Sequence, residues 1–171
     1  RQLHINWKED VRRWHPGQDW IWQAGGLGVF DPGINALSIL TEIMPHPVHL
    51  TNAVLEFPAN RDTPIAARLD FADPTGAEVN AVFDWRQEGP QSWDIHIETD
   101  AGSLQLLDGG ARLLIDGTTI VAEAEQEYPL LYVKFSELLR QQISDIDVSP
   151  LRHVADAFML GRRVEVGSFE D

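Results

Sequence analysis

The sequence predicts an α+β domain: an open, mostly antiparallel β-sheet of about six strands with helices packed on one face. Three features predict it. Apolar and polar residues alternate through residues 48–122, Asp/Gly turns punctuate that stretch, and helix-period apolar runs flank it on both sides. A sheet with one apolar face needs helices to cover it.

The first element is a strand. Arg1-Gln2-Leu3-His4-Ile5-Asn6-Trp7 reads like a strand interior, and no Met precedes it. The expectation is that a further domain lies upstream. Residues 1–22 carry four basic and three acidic side chains, a balance of +1, whereas the other 149 residues total −15. Four of the six Trp (Trp7, Trp14, Trp20, Trp22) fall there, interleaved with Arg12, Arg13 and a His15-Pro16-Gly17 turn. That composition predicts a wrapped loop rather than regular structure, with indoles packed beneath it.

Gly25-Gly26-Leu27-Gly28-Val29-Phe30-Asp31-Pro32-Gly33-Ile34-Asn35 comes next. Asp31 before Pro32 has the form of a helix start, Asp as N-cap and Pro at the first helical position. The run to Met44 is apolar on most sides. Asp31, Asn35, Ser38 and Glu42 share one helical face through steps of four, three and four, which makes a buried helix with one polar stripe. Pro45 and Pro47 end it.

Strand periods follow in Ala53/Leu55/Phe57, Ile65/Ala67/Leu69/Phe71, Val79/Ala81/Phe83/Trp85 and Trp93/Ile95/Ile97. The intervening Asp73, Asp100, Asp108 and Asp116 are read as turn residues. Two helices close the chain. One runs from Tyr128 to about Ser144 through Leu131, Phe135, Leu138 and Leu139. The other opens at Ser149-Pro150 and ends at Gly161, with Arg162 and Arg163 beside its C-terminus.

Composition narrows the function. The 171 residues carry 13 Lys+Arg against 27 Asp+Glu, a net charge of −14, so a phosphate-backbone partner such as nucleic acid is disfavoured. The hydrophobic fraction of 43% is that of a folded domain, large enough to close a core by itself. No apolar run approaches the roughly 20 residues of a membrane helix, and no charged-then-apolar pattern follows Arg1. The expectation is a cytoplasmic protein without a membrane partner. With no Cys, disulfides, thiol nucleophiles and zinc–thiolate sites are out.

Chemistry-bearing motifs are few. Gly26-Leu27-Gly28 puts Asp31 where a dinucleotide fingerprint needs its third Gly, and no parallel βαβ unit follows, so no cofactor-binding residue is assigned in this chain. His46 and His49 lack the convergent ligands a metal needs, and no metal site is assigned. No Gly-x-Ser-x-Gly elbow occurs. Asp31 and Asn35 stand apart: a carboxylate and an amide one helical turn apart, behind a glycine-rich approach, can pair two neighbouring hydroxyls. The plainer alternative is a helix cap and a solvated helix position.

The order strand, Trp-rich loop, Gly-Gly-x-Gly-x-x-Asp-x-Gly-x-Asn helix, meander and final Pro150-Leu151-Arg152-His153-Val154-Ala155-Asp156-Ala157-Phe158 helix resembles the C-terminal domain of the Gfo/Idh/MocA oxidoreductases. Within them, Glu9-Asp10 and Trp14-His15-Pro16-Gly17-Gln18-Asp19-Trp20-Ile21-Trp22 look most similar to aldose 1-dehydrogenases acting on D-galactose or L-arabinose. The resemblance implies that residues 1–171 are one substrate-binding and oligomerisation domain. A Rossmann domain holding NAD or NADP would lie elsewhere in the parent protein, and the open sheet face would make a homo-oligomer. It implies Asp31 as the catalytic group, with Asn35, Glu9, Trp14, Trp93 and His15 around an aldose whose C1 hydroxyl is oxidised to the lactone. Many relatives carry His where this chain has Asn35, so the proton must go to Asp31, to a lysine of the other domain, or to His15. The fragment alone would be inactive. A free-standing sugar-binding module, or a self-association domain using Arg68, Asp70, Asp84 and Arg86, are the alternatives.

Overall fold

A computed structural model describes residues 1–124 and 126–170. The chain runs β1 (Gln2–Lys8), α1 (Val11–Trp14), a 3-10 turn (Asp19–Trp22), α2 (Phe30–Ile43), then β2 (His49–Pro58), β3 (Ala66–Ala72), β4 (Glu78–Asp84), β5 (Ser92–Thr99), β6 (Gly102–Leu107), β7 (Arg112–Ile115) and β8 (Thr118–Ala122). It closes with α3 (Glu127–Gln141), α4 (Ser149–Leu160) and β9 (Arg162–Val166).

The α+β class and the meander stand, but the strand count does not. Among the described residues one mixed sheet of nine strands runs in the order β8-β7-β6-β5-β1-β4-β3-β2-β9, with β1/β4 and β2/β9 parallel and the remaining pairs antiparallel. Two physical causes account for the difference. β1 inserts between β4 and β5, which run in opposite directions, so it must be parallel to one of them. Arg162 and Arg163, read as cations at a helix end, instead begin β9 and pair with Val54 and Leu55.

Register sorts the two faces. Leu3, Ile5 and Trp7 on β1, Leu69 and Phe71 on β3, Val79, Ala81 and Phe83 on β4, and Ile95 on β5 are buried beneath the helices. Phe30 of α2 meets Phe83 edge-on at 5.8 Å and Phe158 of α4 at 5.5 Å, while His153 of α4 stands on Phe71 at 5.2 Å. Two helices and the sheet thus share one core. The opposite face is polar. Asn52 donates to Asp70 at 2.9 Å, and Glu56 pairs with Arg68 at 3.1 Å and with Arg86 at 2.8 Å.

Two of the turn aspartates bond backbone amides, Asp73 two residues on and Asp116 across the hairpin, whereas Asp100 pairs with the distant Arg1 guanidinium at 2.6 Å. Asp73 accepts from the Thr75 amide at 2.8 Å and Asp116 from the Ser103 amide at 2.8 Å. The Trp-rich segment is more regular than a wrapped loop, because Asp10 caps a single turn, α1, and a 3-10 turn follows. α2 begins one residue before Asp31, with Val29 at the cap position and no side-chain cap bond. Asp31 therefore lies in the first turn instead of capping it, and its carboxylate is left free for other work.

Candidate active site

Backbone pairing delivers the first acid. β1 continues past its last ladder residue: Glu9 N–H donates to the Asp84 carbonyl at 3.0 Å and Val11 N–H to that of Trp85 at 3.1 Å. Glu9 is thereby drawn under the loop and left only 2% exposed. Asp10 then caps α1, accepting from Arg12 N–H at 3.1 Å while its carboxylate grips the Arg12 guanidinium at 2.9 Å. The resulting turn carries Trp14 and His15 over the end of the sheet.

Trp93 arrives from far along the chain. The β1/β5 register sets it opposite Trp7, their rings stacked at 6.0 Å. Trp14 leans on Trp93 at 4.8 Å from the loop side. Asp31 comes from the first turn of α2, whose start is anchored by Val29 N–H donating to the Pro64 carbonyl at 2.8 Å. Gly28, at φ +56°, makes that approach possible; a Cβ there would sit 2.4 Å from the same carbonyl.

One carboxylate ties the cluster together. His15 Nε2–H donates to Glu9 Oε1 at 3.0 Å and Trp93 Nε1–H to Glu9 Oε2 at 2.9 Å. His15 Nδ1 faces the Gln18 amide oxygen at 3.4 Å and Asp31 Oδ2 at 3.7 Å. The imidazole also lies against Trp85, ring centres 5.2 Å apart. The hydrogen bond to Glu9 raises the His15 pKa above its ordinary value against the opposing effect of burial, and Gln18 and Asp31 push the same way.

The structure brings five of the six expected residues into contact: Glu9, Trp14, His15, Asp31 and Trp93. Asn35 lies one turn further along α2, exposed, with no hydrogen bond to the cluster among the described residues. Glu9 is buried with both oxygens engaged, behind the side chains that face outward. Sequence reading gave no role to Gln18 or Trp85. Trp85 was legible only as an alternating strand position, yet it is fully buried between His15 and Trp22, its indole N–H without a hydrogen-bond partner among the described residues. Gln18 carried no signal beyond its place after the turn.

The glycine-rich stretch does not fit a dinucleotide. The Val29 amide is spent on Pro64, Gly28 is packed against the same residue, and Asp31 would repel a pyrophosphate. The arrangement instead offers an aromatic wall of Trp14 and Trp93, a half-exposed carboxylate, and a histidine joined to a buried acid. That is equipment for a polyhydroxylated ligand and for proton transfer from one of its hydroxyls.

No family model matches the chain. It is 48% identical over all 171 residues to a galactose 1-dehydrogenase from Pseudomonas fluorescens, of which it covers 56%. A crystal structure of a D-galactose-1-dehydrogenase protein from Rhizobium etli matches with a TM-score of 0.94 and 64% identity, over 99% of this chain and 54% of that one. A 3-ketoreductase from Actinomadura kijaniata, solved with NADP and TDP-benzene, shares the fold at a TM-score of 0.77 and 15% identity, over 97% of this chain and 55% of that one. The chain therefore spans about half the length of the relatives it matches, and the likeness drawn from the Asp31–Asn35 motif and the Trp-rich loop holds along its whole length.

Proposed function

We propose that this chain, related over its whole length to galactose 1-dehydrogenases, is the substrate-binding domain of an aldose 1-dehydrogenase. The observation that carries the reading is the joined cluster at the start of α2, where Asp31, His15, Trp14 and Trp93 converge. In this reading the aldose lies on the exposed side of that cluster. Trp14 and Trp93 stack on its C–H face, and Asn35 and Asp31 pair hydroxyls around C1. Asp31 takes the C1 hydroxyl proton. NAD or NADP, held by a Rossmann domain outside these residues, supplies the hydride acceptor. Glu9 lies behind the sugar-facing side chains and holds two of them. The fragment by itself would be inactive, since nothing in it holds the hydride acceptor beside C1.

A second body is supported by α3. Leu131, Tyr132, Phe135 and Leu139 are 56%, 64%, 56% and 62% exposed, a stripe of large apolar side chains that the described residues leave uncovered. We assign it to the cofactor domain. The polar sheet face, with Arg68, Asp70, Asp84 and Arg86, is assigned to self-association.

The test is galactose-dependent nicotinamide reduction by the complete protein. D31N keeps the shape but exchanges one acceptor oxygen for an NH2 donor and removes the base, and turnover should fall by about 10²-fold or more with KM moved far less. Wild-type turnover in D31N would remove Asp31 from the chemistry. No reduction with any aldose would refute the activity itself.

A further inference from the structure

Asp31 can receive a proton, but a carboxyl group at a half-exposed site must give it up again before the next turnover. We propose that Glu9, His15 and Asp31 form a relay in which Asp31 hands that proton to His15 Nδ1, with Glu9 as the positioning residue that fixes the imidazole. The inference rests on the dehydrogenase reading and deepens it, by choosing the group that finally receives the proton.

Geometry carries the argument. Glu9 is 2% exposed, so its carboxylate oxygens look for donors inside the protein. Nε2–H of His15 at 3.0 Å and Nε1–H of Trp93 at 2.9 Å supply them. With Nε2 held as the donor, the neutral imidazole keeps its lone pair on Nδ1, which faces both Gln18 Oε1 at 3.4 Å and Asp31 Oδ2 at 3.7 Å. A closing movement of about 1 Å would make the Asp31 contact a hydrogen bond. A buried acid on one nitrogen and the reacting group's partner on the other is how a histidine is prepared to accept a proton and to stabilise the resulting cation.

The balance is simple. The C1–H bond breaks with both its electrons going to a nicotinamide, which is the oxidant, and the hydroxyl O–H proton goes to Asp31. The Asp31 O–H bond then breaks as the His15 Nδ1–H bond forms, leaving Asp31 a carboxylate and His15 an imidazolium. Bulk solvent takes the proton from His15 through the 13% of its side chain that is exposed.

The ionisable groups facing His15 are Glu9 from the end of β1 and Asp31 from α2; Trp85 and Gln18 complete its surroundings and carry no charge. Both acids favour the imidazolium, in agreement with the raised pKa. Only neutral His15 can accept, so sugar oxidation should rise with pH as His15 loses its proton.

Two readings test this. Imidazole NMR of the 171-residue chain follows His15 directly, and the pH profile of kcat for D-galactose follows it in the complete enzyme. In E9Q the His15 titration and the rising kcat limb should move together to lower pH. In H15Q the limb should vanish and the plateau fall by about 10²-fold, with KM little changed. Activity with a limb that stays in place in E9Q and H15Q overturns the relay alone. If E9Q does not fold, H15Q decides by itself: loss of the limb supports the relay and its persistence overturns it. No galactose-dependent reduction by the wild type at any pH overturns the dehydrogenase reading and the relay with it, even where NMR still reads the Glu9–His15 pairing.

Discussion

Replacing Trp93 with Phe isolates the bond that joins the sheet to the loop. The ring that stacks on Trp7 and supports Trp14 is largely kept, whereas the N–H that reaches Glu9 Oε2 at 2.9 Å is lost. A hydrogen bond to a charged group is worth about 1.5–3 kcal/mol, and more of that range applies where the acceptor cannot turn to water. Glu9 is 2% exposed and cannot. Trimming the indole also removes roughly 40 Å² of apolar contact, about 1 kcal/mol if it were fully buried and half that at a half-buried position. The expected loss is therefore about 2–3.5 kcal/mol. Urea unfolding followed by far-UV circular dichroism measures it without relying on the altered indole fluorescence. W20F is the matched control, because Trp20 is 54% exposed and should cost less than about 0.5 kcal/mol. A double-mutant cycle with E9Q should return a coupling of at least about 1 kcal/mol. A W93F cost no larger than that of W20F, or no coupling to Glu9, would refute the account of Glu9 as the tie between loop and sheet.

Further outcomes follow from other parts of the fold. G28A should cost about 3 kcal/mol in urea unfolding and should abolish amide-exchange protection at Val29, since φ of +56° and a Cβ 2.4 Å from the Pro64 oxygen both oppose it. His15 has a folded pKa above its unfolded one, so its stabilisation is complete below about pH 6.5 and is lost as pH rises through the folded value. Burial lowers the His153 pKa and gives the opposite slope, so the stability difference between wild type and H15Q is the quantity to follow; it should shrink with rising pH. Substituting Ser for Leu131 and Phe135 together should leave the stability of this chain within about 0.5 kcal/mol in urea unfolding, because both side chains are 56% exposed, and should leave its self-association by sedimentation unchanged, because the stripe is assigned to the cofactor domain and not to the sheet face.

Local chemistry was the legible part of the fold. Period-2 alternation identified the meander, the Pro45/Pro47 pair marked the end of α2, and Ser149-Pro150 marked the start of α4. What escaped was pairing between distant segments. Arg162-Arg163-Val164-Glu165-Val166 has the alternation of a strand, but its neighbours made it read as a helix terminus; only docking on β2 turns it into β9. The start of α2 was displaced for a related reason. Asp31-Pro32 has the local form of a cap, but the helix is anchored two residues earlier by the Val29 bond to Pro64, a contact 35 residues away in sequence.

The site divides along the same line. Asp31 and Asn35 were legible because four residues on a helix is a spacing that geometry fixes. The union of Glu9 with Trp93 is not a spacing at all: it spans 84 residues and exists because β1 lies beside β5 in a register that pairs Trp7 with Trp93. Had β1 slipped by one residue, Trp93 would face a polar neighbour and Leu3, Ile5 and Trp7 would turn to the open face. The apolar alternation of β1 therefore does two things at once. It buries three side chains in the core, and by fixing the register it sets the indole N–H where the carboxylate of Glu9 needs a donor. Packing of the strand and assembly of the cluster thus depend on one register, which is why a change at Leu3 or Ile5 that weakened it should be felt at His15.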